Sequence, residues 1–427
     1  MAHGAAIVVY NTEHMGTSTN NTTTSDRRSL PDGWRWVRLE EICDFRSGGT
    51  PSKADADLWS GDIPWISPKD MKTDKIEDSI DHISLHAVES SATRMVEVGA
   101  ILCVARSGIL AHTFPVALVK RTVAFNQDIR ALIPNPDYVD SNYLQFALRD
   151  AEQVVLTNGV KKGPTVHSIK SGFLETFQLP LPPLPTQRAI VRRLDRDMAE
   201  VARLRAAVQR QRAAVAALPA AYLREVFEGE EARGWEHVPI GEVCSVVEGQ
   251  VDPRLPEYRE LPHINGEVIE SGTGRLLPYR TAADDQLISG KYLFQPGSVI
   301  FSKLRPYLRK VAYVDFRGLC SADAYPLTAK VQFLHPFWLK WVLLSNEFSN
   351  YAIEESLRSR MPKLNREQLL HWKMPLPDLA NQGRVAQMLE SRIEQIDTLR
   401  RQAERQRAAI EALPAALLRE VFGGFAE

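Results

Sequence analysis

The 427 residues hold 44% hydrophobic and 25% charged side chains, an ordinary mixture for a globular protein, which excludes wholesale disorder, collagen and a disulfide-stapled miniature. At about 150 residues per domain, the length suggests two to three domains. The 52 Lys and Arg against 53 Asp and Glu leave a formal charge of -1, so no overall basic field advertises a polyanionic partner and nucleic-acid contact would need local patches or another subunit.

Residues 1–32 read as a loose tail. The apolar run from Ala5 to Tyr10 is too short for a signal segment and has no cationic start. Asn11 to Ser29 is crowded with Thr, Asn and Ser, which cannot bury enough apolar surface to offset chain entropy. No run along the chain approaches the roughly 18 apolar residues of a membrane span. Cys43, Cys103, Cys244 and Cys320 fall in no metal-ligand spacing. They read as small apolar residues in a reducing cytoplasm.

Residues 33–185 read as a mixed α+β unit. Val96–Ala105 and Phe114–Val119 are strand-like, and Leu144–Val155 looks helical. The proline-rich run from Leu179 to Pro185 is an extended connector, because proline fixes φ and lacks a donor. With Thr186 as N-cap, a helical region follows over 186–229. Its apolar seam runs Leu194, Val201, Leu204, Val208, Val215 and Leu218 in alternating steps of three and four, the a/d pattern of a coiled coil. About 31 residues at 1.5 Å each make a rod of roughly 46 Å. Pro219 is expected to end it, with a short helix from Ala220 to Phe227.

Residues 230–380 form a second mixed unit, with Ser298–Ser302 strand-like and Pro336–Phe348 helical. After Met374 to Pro377, Asn381 caps a C-terminal helical region over 381–427. Its seam is Leu389, Ile396, Leu399, Ala403, Ile410 and Leu413, with Pro414 ending it before Ala415 to Phe422. Gln211 and Gln406 occupy equivalent seam positions. They are either buried polar residues that penalise slipped registers or residues near a frayed edge.

The chain contains itself twice. Residues 180–227 and 375–422 align without a gap and share the ALPAA-x-LREVF ending. Ahead of them, Gly33-Trp34 matches Gly234-Trp235, Gly99 to Cys103 matches Gly297 to Phe301, Asp128 matches Asp323, and Tyr143-Leu144 matches Trp338-Leu339. The shared positions are glycines, apolar runs and aromatics, whereas the polar content between them differs. Two helices with one apolar stripe each can bury it against one another. The pair is expected to be antiparallel if a pseudo-two-fold axis relates the repeats; a parallel pair would put both globular units at the same end.

No enzyme motif survives inspection. There is no P-loop, and Asn135-Pro136-Asp137-Tyr138 departs from the methyltransferase loop it evokes and reads as a turn before a helix. His82 and His86 lack the glutamate of a zincin helix. What remains are polar and basic clusters at glycine- or proline-marked turns, where binding residues concentrate. In the first unit they comprise Ser67, Lys69, Arg106, Ser107, Asn126, Gln127, Lys161, Lys162 and Thr165. In the second they comprise His263, Asn265, Lys303, Arg305, Tyr307, Arg309, Lys310, Arg358, Arg360 and Lys363. Arg and Lys fork onto guanine or neutralise phosphate, and Asn and Gln suit adenine edges. Each cluster alone is an ordinary solvated loop; recurrence at matched places favours a binding role. Residues 33–178 carry 16 basic against 19 acidic side chains and residues 235–372 carry 16 against 16. Tight DNA binding would therefore need a partner supplying more phosphate contacts.

These features resemble the specificity subunit of type I restriction–modification systems. The resemblance rests on Gly33-Trp34 with Leu39 to Ile42, the Gly61 to Ile66 phrase, the Leu179 to Gln187 lead into a long helix, and the duplication itself. It implies an α+β fold in which two similar α/β target-recognition domains are separated by two long helices paired as an antiparallel coiled coil. It also implies a non-catalytic DNA-binding subunit that reads a bipartite, asymmetric site, with the helices setting the spacer. The implied partners are double-stranded DNA, two methyltransferase subunits that hold S-adenosylmethionine, and motor-nuclease subunits, with no cofactor, metal or membrane contact of its own. Two alternatives stay open: a subunit serving a fused methyltransferase-nuclease, and a coiled-coil scaffold that does not bind DNA.

Overall fold

The computed structural model describes residues 30–356 and 362–423, so the expected tail, apart from its last three residues, lies outside the described residues. Ala202–Glu411 form one compact unit, and the described residues up to Val201 together with those from Ala412 form the other.

The first unit is built on two sheets. One has the order Cys43–Ser47, Ile129–Pro134, Ile101–Val104, Val116–Val119, Lys75–Ile76. The other has the order Asp81–Ile83, Ile63–Ile66, Val123–Phe125, Arg94–Val96. Ile101–Val104, Val116–Val119 and Val123–Phe125 are buried at every residue, which is why they read as unbroken apolar runs. The single strand expected over Val96–Ala105 is two strands, one in each sheet. Gly99, at φ +95°, makes the turn between them. The helix Ser141–Asp150 covers the core with Tyr143, Leu144, Phe146 and Leu148 buried. Asp140 caps it by accepting the N–H groups of Asn142 and Tyr143 at 2.9 and 3.2 Å.

The second unit repeats this plan. Cys244–Val246, Ala324–Ala329, Ser298–Ser302 and Val311–Val314 form one sheet, and Gln250–Val251, Lys291–Phe294, Gly318–Cys320, Pro262–Ile264 and Arg280–Thr281 the other. Each unit has one central parallel pair in the second sheet: Ile63–Ile66 with Val123–Phe125, and Pro262–Ile264 with Gly318–Cys320. The helix Pro336–Leu344 takes the place of Ser141–Asp150. The side chains match as well. Tyr143 Oη donates to the Pro180 carbonyl at 2.7 Å, and Trp338 Nε1 donates to the Pro375 carbonyl at 3.0 Å. Tyr143 packs on Phe422 at 5.5 Å between rings and Trp338 on Phe227 at 5.3 Å.

Two identical anchors fix where the long helices leave the sheets. Gln187 is fully buried; its amide nitrogen donates to the carbonyls of Tyr138 at 3.0 Å and Pro182 at 2.8 Å, and its oxygen accepts the Asp140 N–H at 2.8 Å. Gln382 does the same with Phe333 at 3.0 Å, Pro377 at 2.7 Å and the His335 N–H at 2.8 Å.

The long helices span Leu184–Phe227 and Leu379–Phe422, 44 residues each. They start two residues before Thr186 and Asn381, which therefore lie in the first turn and are not the caps. In the second helix Asp378 accepts the Asn381 N–H at 2.9 Å. Pro219 and Pro414 lie inside the helices rather than ending them. A helical proline forfeits one hydrogen bond at about 3 kcal/mol, but the following turns are held by burial of Leu223 and Val226 in the second unit's core, and of Leu418 and Phe422 in the first's.

Pairing of the helices is antiparallel within the second unit, where Arg212 meets Glu404 at 2.6 Å and Glu225 meets Arg392 at 2.8 Å. In the first unit Arg193 pairs with Glu420. The seam is narrower than the a/d reading. Leu194, Val201, Val208 and Val215 are buried at seven-residue steps, as are Leu389, Ile396 and Ala403. Leu218, Ile410 and Leu413 are half-buried, while Leu204 and Leu399 remain 38% and 37% exposed and Gln211 and Gln406 are exposed. The second column of the heptad alternates Asp197, Leu204, Gln211 and Leu218, too polar a strip for a continuous seam, so one apolar column does the packing.

Asp150 contributes a pH dependence to the first unit. Burial pushes its carboxyl up to about 6 even though Arg419 favours the anion. The folded chain then binds more protons than the unfolded one between the usual 3.8 and about 6, and stability falls as pH rises through that window. Asp150→Asn is expected to raise the unfolding temperature at pH 8 by roughly 2–4 °C, allowing about 1 kcal/mol after solvent screening. At pH 3 the two proteins should melt together; a thermal scan at both values is the check.

Candidate nucleic-acid interface

In both units the parallel strand pair ends at one place on the surface. In the first, Ile66 leads into Ser67 and Phe125 into Asn126, and the Asn126 N–H donates to the Ile66 carbonyl at 2.9 Å. In the second, Ile264 leads into Asn265 and Cys320 into Ser321, with the Ser321 N–H on the Ile264 carbonyl at 3.0 Å. Beside them the turns holding Asp128 and Asp323 accept the N–H groups of Ala105 at 2.8 Å and Lys303 at 3.0 Å. The frame thus superimposes Ala105 on Lys303, Arg106 on Leu304 and Ser168 on Lys363, since Arg106 pairs with Ser168 and Leu304 bridges to Lys363.

Arg106, 60% exposed, donates from Nε to Asp128 Oδ1 at 2.8 Å. One of its neighbours in a three-stranded sheet is Ser168, whose other partner is Lys161. Residues paired across strands share a face, so Arg106 and Lys161 flank Ser168 on one side. Lys162 and Thr165 are exposed on the same hairpin, and the Thr165 carbonyl lies 3.4 Å from where a Cβ on Gly108 would stand. Gln127 accepts the Thr50 hydroxyl at 2.6 Å. This draws in the loop of Gly48 and Gly49, where a Cβ on Gly48 would stand 2.1 Å from the Phe125 carbonyl. Only glycine permits that approach.

Several expected contact residues are spent internally. Ser67 is buried, and its N–H and hydroxyl both donate to Asp70 Oδ2. Lys69 pairs with Asp81 at 2.7 Å, and that hydrogen bond raises its pKa. Asn126 is buried and bonds to Asp128, while Ser107 caps the short turn of Gly108–Ala111. His263 lies in the interior against Asp285 at 2.7 Å, a strand residue and not a surface ligand. Arg309 turns inward to the Leu344 carbonyl and to Asn346 Oδ1, and burial lowers its pKa. Lys310 donates to the Gly266 carbonyl. Asn265 closes its own turn by accepting the Glu267 N–H at 2.8 Å, and Lys303 lies over the Tyr325 ring at 5.0 Å. Arg305, Tyr307 and Lys363 stay exposed. Arg358 and Arg360 lie outside the described residues.

The second unit encloses a cleft of about 560 Å³ whose walls include Asn265, Leu304, Arg305, Lys310, Ser321 and Asp323. Asp323, Thr50 and Ser321 were not among the expected residues; for Asp323, its match to Asp128 in the two repeats is the signal that marks it. All four cysteines are buried. Desolvation pushes Cys43, Cys244 and Cys320 up to about 12 and Cys103 upward as well, which leaves no thiolate for nucleophilic chemistry. Among the described residues, no group of three or more His, Cys, Asp or Glu could hold a metal. No helix there is long and apolar enough to cross a membrane.

A family model described as the type I restriction modification DNA specificity domain matches twice, over residues 31–203 and 232–406. The chain belongs to this family. The specificity-subunit resemblance read from the sequence is thereby borne out, as is its fold of paired mixed domains with two long helices. The specificity subunit of the type I restriction enzyme EcoDI from Escherichia coli is 25% identical over 430 residues, 92% of this chain and 89% of that protein. The EcoR124I/EcoR124II specificity subunit, also from Escherichia coli, is 38% identical over 162 residues, 38% of this chain and 40% of that one. Among solved structures, a chain from a study of complex assembly and conformational transition in a type I R-M system has a TM-score of 0.69 at 21% identity, covering 92% of this chain and 98% of its own. The HsdS subunit from Thermoanaerobacter tengcongensis has a TM-score of 0.61 at 21% identity, covering 95% and 99%. At that identity these two structures speak for the fold.

Proposed function

We propose that this specificity subunit is the non-catalytic DNA reader of a type I restriction–modification complex, each unit reading one half of a bipartite, asymmetric site. The observation that carries this reading is one strand frame presenting unlike groups: Arg106 and Ser168 in the first unit against Leu304 and Lys363 in the second. A repeated frame with unlike side chains suits two unlike short sequences, because base edges are read by individual side chains. The long helices set the gap between half-sites and dock two methyltransferase subunits, which hold the S-adenosylmethionine. Motor-nuclease subunits complete the restriction complex. Neither unit is strongly basic, so the methyltransferases supply much of the phosphate contact.

Mapping methylated adenines in the host genome with and without this gene tests the reading. A bipartite motif that vanishes with the gene supports it, and an unchanged methylation map overturns it. Within the site, Arg106→Ala is expected to weaken DNA binding by the assembled complex by about 1–3 kcal/mol and to relax one base pair of a single half-site. Competition with duplexes altered position by position measures this. Uniform weakening with a shallower salt slope assigns Arg106 to a phosphate instead.

A further inference from the structure

Resting on the DNA-reading proposal, we infer that Asp323 accepts a hydrogen bond from a base with an exocyclic amino group, cytosine or adenine, in the half-site of the second unit. Its counterpart Asp128 is neutralised. Arg106 Nε donates to Asp128 at 2.8 Å and Asn126 Nδ2 at 3.3 Å, so the first unit presents the remaining guanidinium donors at that spot. In the second unit the backbone around Asp323 is the same, because Lys303 N–H donates to the Asp323 carbonyl and Leu364 N–H to the Lys303 carbonyl, both at 3.0 Å. The first unit has Ala105 N–H on the Asp128 carbonyl and Ile169 N–H on the Ala105 carbonyl, both at 2.8 Å. That register puts Leu304 where Arg106 stands, and leucine offers the carboxylate nothing.

The Asp323 carboxylate is exposed on the wall of the 560 Å³ cleft and makes no hydrogen bond or ion pair among the described residues. Of the cations near it, Lys291 and Lys303 are committed elsewhere, while Arg305 is exposed on the same cleft wall. Lys291 senses the charge of Asp323 but donates to the Ser289 carbonyl and hydroxyl at 2.9 and 2.6 Å, and the Lys303 ammonium sits over Tyr325. Their field offsets the repulsion a lone carboxylate would meet among phosphates, without consuming its lone pairs. In the major groove cytosine N4 and adenine N6 are donors, whereas guanine O6 and thymine O4 are acceptors that a carboxylate repels. The two units thus invert the polarity of one position: a donor at Arg106 and an acceptor at Asp323.

The test uses the full chain assembled with its methyltransferase subunits and a panel of duplexes carrying each of the four bases at every position of the methylated site. The unaltered protein should prefer C or A over G or T at one position by about ten- to a hundredfold. Asp323→Ala should abolish that preference, and Asp323→Asn, whose amide both donates and accepts, should flatten it. Both should leave every other position, and the half-site sensitive to Arg106→Ala, as they were. Variants that keep the full preference pattern, or that weaken all duplexes equally, overturn the role of Asp323. A complex of the unaltered chain showing no sequence preference at all overturns the DNA-reading proposal itself.

Discussion

Replacing Gln187 with leucine is expected to destabilise the first unit by about 3–6 kcal/mol, since a buried polar group left without its partner costs about 1–3 kcal/mol and three lose theirs at once. These are the carbonyls of Tyr138 and Pro182 and the N–H of Asp140. Leucine has nearly the right volume, so the loss reports hydrogen bonding more than packing. Gln382→Leu should cost the second unit a similar amount, because its amide meets the same three kinds of group at nearly the same distances. Denaturant melts of the two single variants check both claims. A loss below about 1 kcal/mol at either position, the worth of one ordinary hydrogen bond, would show that the anchor does not hold the helix to its sheet.

Lengthening both long helices by one heptad is expected to lengthen the gap between half-sites by about three base pairs, seven residues adding about 10 Å against 3.4 Å per base step. The ion pairs Arg212–Glu404 and Glu225–Arg392 dictate where the insertions go. Seven residues after Gln209 require seven more after Gln406, opposite them in the antiparallel pair. An insertion in one helix alone would slide the buried column of Val208 and Val215 out of register. Methylome mapping should then return the same two half-sites around a wider gap, and an unchanged gap removes the helices as the ruler.

Much of this architecture was legible in the sequence, because its strongest signal is periodicity on a scale no local accident produces. The 195-residue offset aligned the two helical segments, and the hydrogen bonds of Tyr143 with Trp338, and of Gln187 with Gln382, obey the same offset. The prolines misled, since Pro219 breaks one backbone bond but cannot reveal that Leu223 and Val226 will be buried beyond it. Leu204 and Leu399 misled for the converse reason: an apolar residue at heptad spacing does not disclose that every second residue of its column is polar. The interface was read at the level of loops rather than residues. Arg106, Lys161 and Arg305 are displayed, but Ser67, His263 and Arg309 bond inward, and a residue type carries no record of its partner. The decisive contrast between Asp128 and Asp323 depends on what stands opposite each carboxylate, which only the pairing of strands supplies.

The reciprocal seating of the helix ends has a consequence for synthesis. Leu418 and Phe422 belong to the core that also holds Tyr143, so the first-made unit cannot close until Phe422 has been translated. The later half, by contrast, carries Leu223, Val226 and Phe227 ahead of its own sheets and can consolidate as it emerges from the ribosome. Nascent chains stalled before Leu418 should therefore yield a protease-resistant fragment from the middle of the molecule while the amino-terminal region stays susceptible, reversing the usual order in which domains mature.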